Sequence, residues 1–175
     1  LFSAPNTIHS HRSIEWSSSY KTQDSFDSAI RLSGSSKYIT FDNIDLSDGF
    51  SVFVRFSPDE FGAGDPSLFQ DGIIVSKYNS ANDLEFAIGY ENNVLCGYSS
   101  DTAGNVIKVE SSVAIGLHSF PLAALLTYDA DDNKLRLYVD NESSDWFDTN
   151  DTWDLLRAES SSFTKVDTNQ DITLG

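Results

Sequence analysis

Residues 120–142 constrain the chain most. The first arm, Phe120 to Tyr128, is almost wholly apolar, and the second alternates strictly, Leu135, Leu137 and Val139 against Lys134, Arg136 and Tyr138. A period of two means a strand with one buried and one wet face. Between the arms lie Asp129, Asp131, Asp132 and Asn133, whose short side chains bond their own backbone in turns. The segment therefore predicts a long antiparallel hairpin at the centre of a sheet.

The same alternation recurs on both sides of it. Ile30 and Leu32, then Tyr38, Ile39 and Phe41, flank a turn at Gly34 and Ser35; Phe50, Val52, Val54 and Phe56 fill one face of a strand that Pro58 ends. Strands are expected from Gly72 to Tyr78, Asp83 to Tyr90, Val94 to Tyr98 and Val106 to Val109, with Asn92 and Asn93 suited to a tight hairpin. In the strand from Asp83, Leu84, Phe86 and Ile88 are expected to face away from Glu85, Ala87 and Gly89. Near the end, residues 154–158 predict one helical turn, and Phe163 to Val166 and Asp171 to Leu174 predict strands. Residues 1–27 lack steady periodicity and read as an N-terminal arm or linker; residues 28–175 read as one domain.

The hairpin motif, with its Thr127-Tyr128-Asp129 run followed by Leu135 to Asp140, resembles the signature hairpin of laminin-G-like domains, members of the concanavalin A-like superfamily. Ala29 to Phe41 and Asp48 to Pro58 resemble that family's opening strands, in the right order. The resemblance implies an all-β, two-sheet antiparallel jelly-roll β-sandwich. It also implies a further strand after Ile172 to Gly175; without it the sandwich would lack its closing strand, and residues beyond 175 or strand addition from another chain would fill the slot.

Charge and composition narrow the function. A formal charge of −16 over 175 residues argues against nucleic acid and anionic membrane surfaces, where Lys and Arg must meet phosphate. No apolar run is long enough to insert into a membrane. The single cysteine, Cys96, permits no internal disulfide and reads as a small buried hydrophobe. The chain starts at Leu1 and contains no Met, which reads as a processed product or an excerpt of something longer. Asn141 and Asn150 each open an Asn-x-Ser/Thr glycosylation acceptor, which points to an extracellular or cell-surface protein.

No constellation for catalysis stands out. Glu85, Glu91, Glu110, Glu142 and Glu159 are not spaced as the carboxylate set of the glucanases that share this sandwich, and no Gly-x-Ser-x-Gly occurs. The expectation is that the chain is not an enzyme. For a metal, Ca²⁺ wants six to eight oxygens. In laminin-G-like domains an Asp opening a strand ligates Ca²⁺ at a rim together with backbone carbonyls and a second acidic residue; Asp83 is similar to that Asp, and the resemblance implies Ser100 or Asp101 as the carbonyl ligand and Asp148 or Asp151 as the second carboxylate. For a glycan, Trp146, Phe147 and Trp153 supply aromatic faces among Asp145 and Asn150. The expected function is a non-catalytic recognition module binding a glycan or an extracellular protein, with Ca²⁺ as cofactor. The alternative is a structural building block of a multi-domain or polymeric extracellular assembly.

Overall fold

The computed structural model describes residues 8–11, 15–17, 29–31, 38–46, 48–56, 72–80, 82–92, 94–114, 122–140 and 156–175. Thirteen strands occur among them: β1 (Ile8–His11), β2 (Glu15–Ser17), β3 (Ala29–Arg31), β4 (Tyr38–Phe41), β5 (Gly49–Phe56), β6 (Gly72–Ser80), β7 (Asp83–Glu91), β8 (Val94–Ser100), β9 (Val106–Ala114), β10 (Leu122–Asp129), β11 (Lys134–Asp140), β12 (Leu156–Glu159) and β13 (Ile172–Leu174). A seven-stranded sheet runs β1-β4-β13-β6-β7-β8-β9, a four-stranded sheet runs β12-β11-β10-β5, and β2 pairs with β3 alone. Every strand pairing is antiparallel. The fold is the expected all-β sandwich.

The central hairpin forms as its pattern dictates. β10 pairs with β11 from Ala123 opposite Asp140 to Asp129 opposite Lys134, and on its other side with β5 from Leu122 opposite Phe56 to Asp129 opposite Gly49. The turn is held by the amide of Asp131 donating to Asp129 Oδ1 at 3.0 Å, and Asn133 takes a positive φ of 57°. Cross-strand neighbours share a face. Leu126, Tyr128, Leu135, Leu137 and Val139 therefore point together into the core, against Phe86, Ile88, Leu95 and Val109 of the larger sheet.

Gly97 on β8 shows how closely the two sheets approach. A Cβ built there would lie 2.3 Å from Leu126 Cδ1 and 3.2 Å from Val109 Cγ2, so the Leu126 side chain occupies the space that any larger residue needs.

Three expectations are corrected, over 154–158, 163–166 and the end of β9. The helical turn expected over 154–158 is not formed at its described end, because Leu156–Glu159 is strand β12, paired with β11 from Val139 to Arg136. Sheet pairing overrides a weak local preference here. Phe163 to Val166 makes no strand, only an isolated bridge between Lys165 and Asp101. β9 continues through Ala114, beyond the expected end at Val109. The terminal segment Ile172–Leu174 lies inside the larger sheet, bonded to β4 on one side and β6 on the other. Part of the stretch read as an arm also enters that sheet, since β1 pairs with β4 from Ile8 opposite Phe41 to His11 opposite Tyr38.

The even alternation expected along β7 breaks at Glu85. Lys77 pairs with Phe86 and Tyr78 with Leu84, so Glu85 is the extra residue of a β-bulge. Leu84 consequently joins Ala87, Cys96 and Tyr98 in a second buried cluster on the opposite face from Phe86 and Ile88.

Gly97→Val is expected to destabilise the domain by about 1–3 kcal/mol through overpacking. Part of that loss should return in the Gly97→Val/Leu126→Ala double variant. Urea unfolding of the four proteins measures both effects, and strict additivity would show that Leu126 is not the clashing group.

Candidate functional site

Among the described residues, three places bear on a candidate site: a rim at the β7 start, a buried charge cluster beside it, and a cleft on the smaller sheet.

At the rim, Asp83 opens β7 and Asp101 follows β8. Leu84 donates its amide to Ser100 Oγ at 3.2 Å, and a Cβ on Gly104 would lie 3.8 Å from that of Asn82, so the two aspartates share one end of the larger sheet. Asp83 Oδ2 accepts from Asn79 Nδ2 at 3.1 Å. Asp101 serves its own turn: Oδ1 accepts the amides of Ala103 and Asn105 at 2.9 and 2.8 Å, and Oδ2 accepts Asn105 Nδ2 at 2.8 Å. The side chain and amide of Asn105 hold its carboxyl below the usual range. Among the described residues no three His, Cys, Asp or Glu side chains cluster as a metal site. Asp148, Asp151, Asp145, Trp146, Phe147, Asn150, Trp153 and Asn141 lie outside the described residues.

The charge cluster escaped the sequence reading. The bulge aims Glu85 at Lys77, with Nζ 2.6 Å from Oε2 and both side chains fully buried. Lys165 Nζ lies 3.1 Å from Oε1, and Thr168 donates its amide at 3.1 Å and its hydroxyl at 3.2 Å to Oε2. Lys77 also donates to the carbonyl of Ile44 at 2.7 Å. Burial alone would raise the Glu85 carboxyl, but the hydrogen bond from Lys77, the Thr168 amide and Lys165 outweigh it, and the group sits below its ordinary value. One carboxylate thus ties β6, the 42–46 segment and the 163–168 segment to β7. In sequence Glu85 looked like one scattered glutamate in an evenly alternating strand, and no local signal marked the bulge.

The cleft, of about 530 Å³, lies at one end of the smaller sheet and is lined by Asp48, Ser51, Thr127, Asp129, Arg136 and Tyr138, among others. Register explains the lining: Ser51 opposes Thr127, Thr127 opposes Arg136, and Arg136 opposes Glu159, all on the face turned away from the core. The adjacent row is Phe53, Leu125 and Tyr138, with Phe53 50% exposed. Gly49 permits the close approach of β5 and β10 at the edge of the cleft. Its φ is +123°, and a Cβ there would meet the Tyr128 carbonyl oxygen at 2.8 Å.

Arg136 is saturated by carboxylates. Its Nε donates to Glu159 at 2.9 Å, its two terminal nitrogens donate to the two oxygens of Asp132, and Asp129 Oδ2 lies 3.7 Å away. The hydrogen bonds it donates to Asp132 and Glu159 raise the guanidinium further, and Arg136 in turn depresses the Asp132 carboxyl. The outward positions of Arg136 and Tyr138 were legible in the hairpin pattern, whereas their alignment with Ser51 and Phe53 follows from the pairing of β10 with a strand about seventy residues earlier.

No family model matches this sequence, and no curated protein does. The structure is similar to the binding domain of Paraclostridial Mosquitocidal Protein 1, at 13% identity and a TM-score of 0.63, over 96% of this chain and 39% of that one. It is also similar to the binding domain of Botulinum Neurotoxin serotype G, at 12% identity and a TM-score of 0.53, over 95% of this chain and 41% of that one. A second structure of the type G receptor binding domain gives 11% identity and a TM-score of 0.51, over 95% and 40%. The chain thus spans about two fifths of the length of these structures. At such identities the likeness is one of fold, and it agrees with an all-β sandwich.

Glu85→Gln leaves two buried ammonium groups without a counter-charge and is expected to cost about 3–5 kcal/mol at neutral pH. A carboxyl held below its ordinary value of 4.5 contributes stability that is fully present above pH 4.5 and lost as pH falls through the folded-state value. The gap between wild type and Glu85→Gln should therefore close as pH is lowered below 4.5, and urea unfolding from pH 7 to pH 3 measures it. A gap independent of pH would exclude an ionised Glu85.

Proposed function

We propose that this domain is a non-catalytic recognition module, secreted or displayed at a cell surface, that binds a carbohydrate or another surface protein. The observation that carries the reading is the open cleft on the smaller sheet, where Tyr138, in one row with Leu125 and Phe53, presents an aromatic ring beside hydroxyls and carboxylates. Flat rings that take apolar faces, with polar groups around them to fix orientation, are the make-up of a recognition surface. Likeness of fold to structures described as binding and receptor binding domains supports it. The state of the reactive side chains supports it too. Glu85 is locked between lysines, Asp101 is spent on its turn, and burial pushes the Cys96 thiol up to about 11, far from a nucleophile at neutral pH.

Wild-type protein and the Phe53→Ala and Tyr138→Ala variants, screened against glycan and cell-surface protein panels, test this proposal. Binding weakened about tenfold in either variant, equivalent to roughly 1.4 kcal/mol, is the expected result. Binding unchanged in both would move the ligand away from this face.

Calcium at the rim belongs to the same proposal, with Asp83 as the carboxylate ligand. Thermal unfolding in EDTA and in millimolar Ca²⁺ checks it. Binding to the folded state alone should stabilise by about 2.7 kcal/mol at a hundredfold excess over the dissociation constant. That gain should vanish in Asp83→Ala, and no shift in the well-folded wild type would remove calcium from the reading.

A further inference from the structure

We draw no further inference here: the strongest candidate, the buried cluster of Glu85, Lys77 and Lys165 beneath the start of β7, belongs to the site already described and lies beside Asp83, the proposed calcium ligand.

Discussion

Glu85 is the group on which the end of the sandwich depends. Its carboxylate receives Lys77 from β6, Lys165 and Thr168 from the segment before β13, and its own carbonyl receives the hydroxyl of Ser99 from β8 at 2.9 Å. These partners are 8, 80, 83 and 14 residues away, so one side chain joins parts of the chain that local interactions cannot. A buried ion pair is not in itself a source of net stability, because desolvation offsets most of the attraction. What it does is penalise alternatives: a displaced 163–168 segment would strand two ammonium groups in a dry interior. The β-bulge is the device that turns Glu85 toward that interior.

That arrangement also supports the opposite sheet. Tyr128, at the end of β10, donates its hydroxyl to the carbonyl of Phe163 at 2.8 Å and packs edge-on against the Phe163 ring at 5.2 Å. The segment pinned by Glu85 thus carries Phe163 onto the end of the hairpin. On the outward side of that end lie Asp129, Ala130 and Gly49, which frame the cleft. The buried carboxylate and the one at Asp129 therefore differ in setting: the first is neutralised inside the fold, whereas the second is exposed, with Oδ1 accepting the Asp131 amide and Oδ2 3.7 Å from Arg136. Arg136 belongs with the first group in spite of its position, since its carboxylate partners fix the turn.

Much of the architecture was legible because its strands alternate. β5, β10 and β11 have one wet and one buried face, and residues such as Leu135, Leu137 and Val139 announce themselves at period two. β7 and β8 did not read as cleanly. Both their faces are buried, with Leu84, Ala87 and Cys96 as inaccessible as Phe86 and Ile88, so alternation carries no information there and a bulge can pass unnoticed. β12 was misread for another reason: four residues show little intrinsic preference, and only the partner strand β11 settles their conformation. The turn that the Asp101 side chain makes with the amides of Ala103 and Asn105 was not legible, because an oxygen-rich loop looks the same in sequence whichever groups its carboxylate faces.

By itself the sequence determined the class of fold, the central hairpin and its turn, the buried state of Cys96 and the acidic character that disfavours polyanionic partners. Each of these is a local or additive property: side-chain period, turn chemistry, summed charge. The tertiary structure alone decided that Ile172–Leu174 enters between β4 and β6, that Glu85 meets two lysines, and that Ser51, Phe53, Thr127, Arg136 and Tyr138 line up across three strands as one surface. Those are relations between distant residues, set by strand register and by closure of the sandwich, and no local pattern encodes them.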